Sequence, residues 1–212
     1  MLSGPRHIPP HLNAALILCH GYGSNGDDLF DLSPGLSAAF PGLGVFCPNA
    51  PTPILAGGFE WFNLDDYPAQ DTPDYIARLE KRAQPAVAAV QELAAHIITE
   101  YRLPANRIFI GGFSQGGQVA LLAALTYPRK LAGCIGMSAL PIATPAAFQD
   151  IPVLLTHGDA DDVVPPAALD MTQNALNHRA EVFIAPGMAH AINGACVQKI
   201  TAWMQKILDA RD

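Results

Sequence analysis

The chain has 212 residues and a net charge of −7, with half of its residues hydrophobic and 15% charged. That length suits a single domain, 1–212, able to bury roughly 70% of its unfolded surface, and the composition excludes a disordered chain. No basic cluster provides the electrostatic footprint of a nucleic-acid binder, and the acidic balance disfavours adsorption to anionic membranes.

Short apolar runs alternate with longer helical patterns along the chain. The first, Ala14–Cys19, is short, follows prolines and is followed at once by His20-Gly21. It reads as a strand rather than a signal peptide. Gly44–Cys47 is a second strand candidate. The segment from Pro51 to Thr72 contains prolines, glycines and acidic residues without periodicity, and it carries Phe59, Trp61, Phe62 and Tyr67. Loops this long in compact domains are functional or disordered. The aromatics indicate a packed loop that either walls a pocket or plugs the core edge. Thr72-Pro73 is a helix start signal. Ile76, Leu79, Ala83, Val87, Val90, Leu93, Ile97 and Tyr101 then recur at helical spacing, so Asp74–Tyr101 is expected to be helical. Pro85 predicts a kink or break near Ala83–Gln84.

Arg107–Gly111 reads as a strand and Gln115–Tyr127 as a helix. Further strands are expected at Ala132–Met137, Pro152–Thr156 and Glu181–Ala185, with helices at Pro166–Asn177 and Ala195–Ala210. Most strand runs are apolar throughout, as in parallel strands covered on both faces. The alternation predicts an α/β class with a mostly parallel sheet and helices on both faces. The connection Ser138–Ile151 leaves no room for a helical cap domain. Cys19, Cys47, Cys134 and Cys196 are scattered and form no C-x-x-C, so all four are expected to be free thiols in a reducing, cytoplasmic setting. No run approaches membrane-spanning length, so no integral membrane association is expected.

The junction between the Arg107–Gly111 strand and the helix after it reads Gly112-Phe113-Ser114-Gln115-Gly116. A G-x-S-x-G pattern on a strand-to-helix turn is a nucleophile elbow: the turn is sharp, the serine backbone strained, and its hydroxyl stands at the carboxyl end of the sheet. The Gln115 N–H, at the helix start, then points toward a developing oxyanion. A serine hydroxyl needs a base, and the base an orienting acid. The order after such a serine is acid and then histidine. His190 follows the last strand and fits the base. His157-Gly158-Asp159-Ala160-Asp161-Asp162 follows the preceding strand, and any of its three aspartates can reach an imidazole. All these loops sit at one edge of the sheet. A calcium loop is excluded, because Val164 and Asp170 stand where an EF-hand needs glycine and glutamate, and no zinc spacing occurs. No metal is expected. The loop His20-Gly21-Tyr22-Gly23 is the expected source of a second oxyanion donor, the Tyr22 N–H.

Together, His20-Gly21-Tyr22-Gly23, Gly111-Gly112-Phe113-Ser114-Gln115-Gly116-Gly117, His157-Gly158 with Asp161 and Val163-Val164-Pro165, and Gly187 with His190 resemble the phospholipase/carboxylesterase family. These are small α/β-hydrolases that include acyl-protein thioesterases and bacterial carboxylesterases. The resemblance covers nearly the whole chain. It implies an α/β-hydrolase fold and selects Asp161 as the acid beside Ser114 and His190, with the Tyr22 and Gln115 amides as oxyanion hole. It matches Trp61-Phe62 to an aromatic pair near the acyl site, implying substrate-binding roles for both. The implied reaction is cofactor-free hydrolysis of a small ester or thioester. Acyl-protein thioesterase and lysophospholipase are alternative activities, and a homodimer is a further expectation from the family. The rival from another class is a non-catalytic ligand-binding protein on the same fold. Three positions depart from the family pattern: Tyr22 in place of a frequent leucine, Asn63 in place of aspartate, and Ala189 in place of glycine.

Overall fold

The computed structural model describes residues 1–55, 57–64, 72–143 and 148–210. Its strands are β1 (Arg6–His7), β2 (Ala14–Cys19), β3 (Leu43–Phe46), β4 (Thr52–Pro53), β5 (Phe59–Glu60), β6 (Ile108–Phe113), β7 (Gly133–Met137), β8 (Val153–Gly158) and β9 (Glu181–Ala185). Its α-helices are α1 (Gly26–Phe30), α2 (Ser33–Ala39), α3 (Pro73–Glu100), α4 (Ser114–Leu125), α5 (Ala167–Ala175) and α6 (Gly194–Asp209). Seven strands form one sheet in the order β1-β3-β2-β6-β7-β8-β9, parallel except for the pairing of β1 with β3. β4 and β5 form a separate antiparallel pair inside the long connection.

Strand alternation divides the core into two layers. Ala15, Ile17 and Cys19 of β2 join Ile108 and Ile110 of β6 against α3, α4 and α5. Ala14, Leu16 and Leu18 join Phe109 against α1, α2 and α6. Both faces of these strands are therefore buried, which explains why they read as continuous apolar runs rather than alternating ones.

Every expected strand and helix is present; Ala14–Cys19 and Glu181–Ala185 match end to end, and the others are shifted by a residue or two. The shift that matters is at β6, which runs two residues beyond Gly111 and meets α4 at Ser114 with no loop between them. β8 likewise extends to Gly158. Three expectations need correction. Helix α3 continues through Pro85 without a break. The Gln84 side-chain amide donates to the Glu80 carbonyl at 3.1 Å, adding a donor to the turn before the proline, and the apolar face of α3 stays packed on both sides of it. The short helices α1 and α2 carry no readable period and were not anticipated. Asn25 caps α1, its side chain accepting from the N–H groups of Asp27 (2.8 Å) and Asp28 (3.3 Å). The 51–72 segment contains the β4–β5 hairpin rather than pure loop. Its Tyr67 and residues 144–147 of the 138–151 connection lie outside the described residues.

Candidate active site

The parallel register aligns the strand ends that carry the candidate residues. Cys19 pairs with Gly112, Phe113 with Met137, and Gly158 with Ala185. The loops after β2, β8 and β9 and the β6–α4 junction therefore leave the sheet along one edge. At that junction Ser114 has φ 54°, the left-handed region that an L-residue enters at a cost of about 1–3 kcal/mol. The glycines make the turn possible. A Cβ on Gly112 would lie 2.2 Å from the Gly116 carbonyl oxygen, and one on Gly116 would lie 2.2 Å from the His20 oxygen. Only bare backbone lets β2, β6 and α4 come this close.

Asp161 and His190 meet across 29 residues of sequence. His190 Nδ1 lies 2.9 Å from Asp161 Oδ2 and 3.1 Å from Oδ1. The Asp161 side chain is fully buried, and that of His190 is 15% exposed, so the imidazole can reach a substrate that the carboxylate cannot. Asp161 Oδ1 also accepts from the N–H groups of Val163 (3.1 Å) and Val164 (2.9 Å). Burial pushes the Asp161 carboxyl up. The hydrogen bonds from His190 and Val164 and the charge of His190 outweigh it and hold the group below the usual carboxylate range. Asp159 is used elsewhere: it accepts from the Gly187 N–H at 2.6 Å and so braces the turn before His190.

Beside Asp161 lies a second histidine, to which the sequence assigned no role. His157 is buried at the end of β8, with Nε2 2.8 Å from the Val164 carbonyl and 3.5 Å from Asp161 Oδ2. The carbonyl requires a proton on Nε2, so the His157 N–H ties both sides of the acid loop together. The signal was present in the His157-Gly158 pair, but nothing in the order of residues revealed that its ring turns back toward Asp161.

The loop after β2 is held against the elbow from below. A Cβ on Gly21 would lie 3.4 Å from the Ser114 Cβ. The Tyr22 N–H makes no hydrogen bond to a described residue, and the Gln115 N–H belongs to the first turn of α4, which has no intrahelical acceptor. His20 accepts from the Ala50 N–H through Nε2 (3.0 Å), leaving Nδ1–H to donate to the Gly21 carbonyl (2.7 Å). Burial lowers the His20 pKa, against smaller opposing contributions from Gly21 and Asp28, so the ring is held neutral.

Trp61 and Phe62 lie on the long connection, just after β5. Both are buried, and neither is among the described residues lining the cavity beside Ser114. Trp61 Nε1–H donates to the His20 carbonyl at 2.8 Å, and its backbone N–H donates to Gln115 Oε1 at 2.9 Å. Gln115 Nε2 in turn donates to the Phe62 carbonyl at 2.7 Å. The Gln115 side chain thus clips the long loop to the elbow. The burial of these donors and acceptors favours this pairing, because each would be costly if left unsatisfied.

The cavity itself has a volume of about 450 Å³ and contains Ser114 and His190 in its wall. Leu64, Leu140, Val163, Val164 and Ile192 supply apolar surface, and the Phe113 ring lies 4.7 Å from that of His190. Among the described residues no group of three His, Cys, Asp or Glu side chains could hold a metal ion, and no helix is long and apolar enough to cross a membrane. All four cysteines are free and buried.

The arrangement has close counterparts. The chain is 28% identical over 223 residues to acyl-protein thioesterase 1 of Mycosarcoma maydis, covering 93% of this chain and 92% of the relative. It is 34% identical over 164 residues to acyl-protein thioesterase 1 of Schizosaccharomyces pombe, covering 72% and 70%. The crystal structure of esterase PE8 superposes with a TM-score of 0.87 at 30% identity, over 97% of this chain and 99% of that one. The profile of the phospholipase/carboxylesterase family matches residues 9–208. With the α/β-hydrolase sheet and the nucleophile-elbow motif at its carboxyl edge, the chain belongs to the phospholipase/carboxylesterase family of ester hydrolases.

Proposed function

We propose that this chain hydrolyses carboxylic esters and thioesters through an acyl-enzyme on Ser114, with His190 as base and Asp161 as its orienting acid. The observation that carries the reading is the 2.9 Å contact between His190 Nδ1 and the buried Asp161 carboxylate, at a cavity whose wall also holds the strained Ser114. Ser114 Oγ attacks the carbonyl carbon as His190 Nε2 takes its proton. Asp161 holds the Nδ1–H tautomer and stabilises the imidazolium. The Tyr22 and Gln115 N–H groups receive the oxyanion, each worth roughly 3 kcal/mol in such sites. The imidazolium then protonates the departing alcohol or thiol, and water activated by His190 releases the acid.

The acyl-protein thioesterase relatives support thioesters as well as esters, and the apolar wall of Leu140, Val163 and Ile192 favours an acyl chain. Trp61 and Phe62 contribute by holding the oxyanion loop rather than by touching substrate. The chain acts as one domain without a cap, and its four buried thiols support a cytoplasmic setting. A fluorophosphonate probe should label the wild type stoichiometrically and fail on Ser114→Ala, with p-nitrophenyl butyrate turnover lost in parallel. An unlabelled, inactive wild type would overturn the assignment in favour of a binding protein.

A further inference from the structure

The catalytic cavity is not uniformly apolar. Its wall between Gly21 and Leu29 is polar at Tyr22, Ser24 and Asp28. Asp28 supplies the one carboxylate among the described lining residues, and no described Lys or Arg lines the cavity. Its side chain does not swing freely. The Ser24 hydroxyl donates to Asp28 Oδ2 at 2.5 Å, and the Asn25 cap fixes its backbone. α1 is anchored in turn by the Gly26 N–H donating to Asn49 Oδ1 at 2.7 Å. Asp28 therefore presents a fixed negative charge at the mouth of the site. Two aromatic rings, Tyr22 (47% exposed) and Phe113, share that wall, and aromatic faces attract cations, alkylammonium groups included. The net charge of −7 adds a field of the same sign.

We infer that Asp28, with the Tyr22 and Phe113 rings, makes this site selective for esters and thioesters that carry an alkylammonium group a few bonds from the scissile carbonyl, and that it disfavours anionic ones. The inference rests on the hydrolase reading above and deepens it by naming a substrate class. The chemistry of the step is unchanged: the acyl–oxygen or acyl–sulfur bond breaks, the leaving group takes its proton from His190, and water supplies the oxygen of the released acid. The ammonium group is not consumed; it is held.

The test compares two pairs of neutral and cationic isosteres. Butyrylcholine against 3,3-dimethylbutyl butyrate places the charge on the leaving group. Methyl 4-trimethylammoniobutyrate against methyl 5,5-dimethylhexanoate places it on the acyl part. For at least one pair the wild type should prefer the cation in kcat/KM by about three- to five-fold, the scale of an exposed ion pair. Asp28→Asn should bring that ratio to about one or below, and added salt should reduce it in the wild type. Each ratio is taken on one enzyme preparation, so partial misfolding of the variant cancels. The salt series on the wild type alone keeps the test decisive should Asp28→Asn fail to fold. Turnover of the neutral esters with no cationic preference in either pair overturns this inference alone, as does a preference that survives Asp28→Asn. Turnover of none of the four, together with no labelling of Ser114, overturns the hydrolase reading instead.

Discussion

The two halves of the candidate active site are built in different ways. The serine half is held by backbone: β6 runs directly into α4, Ser114 takes φ 54°, and Gly112 and Gly116 let three elements touch. The acid–base half is held by side chains. Asp161 receives two backbone N–H groups and His190, His157 reaches across to Val164, and Asp159 braces the turn at Gly187. A backbone device is specified by a few neighbouring residues and fails completely when one gains a side chain. A side-chain network spans distant loops, and losing one member weakens it by degrees.

That contrast is best broken at its strongest points. Asp161→Asn should lower kcat on a short ester by about 10³–10⁴-fold, because the amide favours the wrong imidazole tautomer. KM should change little. A drop under ten-fold would show that another group orients His190. On the serine half, Gly116→Ala should be the most destabilising single methyl. Its Cβ would meet two carbonyl oxygens of the β2 end, His20 at 2.2 Å and Cys19 at 2.3 Å. Alanine gains about 1 kcal/mol in helix propensity, but the clash with backbone should exceed it, for a net loss above about 3 kcal/mol in urea denaturation.

His157→Phe should have an intermediate effect. It removes the N–H that serves the Val164 carbonyl, with a stability loss of about 1–3 kcal/mol, and it lowers kcat by about ten-fold as the Asp161 loop loosens. His157→Gln, which keeps a donor, should recover part of both. Equal effects of Phe and Gln would assign His157 to packing alone.

The smallest expected effect is in pH. His20 is held neutral by burial, so its folded pKa lies below the unfolded value of about 6.5. The unfolded chain then binds more protons in that window. Stability contributed by His20 is complete above about pH 6.5 and is lost as pH falls toward the folded pKa. Asp161 acts lower: its depressed carboxyl stabilises the fold above the unfolded value of about 3.9 and loses that contribution as pH falls through the folded pKa. Urea midpoints measured from pH 8 to 5 should decline in the wild type and decline less in His20→Gln. Parallel curves would remove His20 from the account.

That Ser114, Asp161 and His190 come together was legible because their loops follow apolar runs, and parallel strands bring all their carboxyl ends to one edge. The proposed roles of the Tyr22 and Gln115 amides rest on the same logic, since glycines flank both turns. The course of α3 through Pro85 was not legible. Local propensity argues for a break there, and it was overridden by packing of the face formed by Ala83, Ala86, Val87 and Val90. What Trp61 and Phe62 touch was also not legible from their type. An aromatic near a site suggests a pocket wall, but the Trp61 N–H is directed at the His20 carbonyl, which only the folded chain brings within 2.8 Å. Asp28 carried no signal at all in the sequence, because α1 is too short to show a period.

Period and punctuation along the chain were enough to determine the α/β class, the strand order of events at the elbow, and which residue types could meet at the sheet edge. These are consequences of nearest-neighbour chemistry: strand burial, glycine freedom and helix caps. Tertiary structure alone decided that His157 lies beside Asp161, that Gln115 clips the Trp61 loop, and that Asp28 lines the cavity. Each of those contacts joins atoms whose separation depends on how whole elements pack, and packing is settled by the sum of many small contacts rather than by any local stretch.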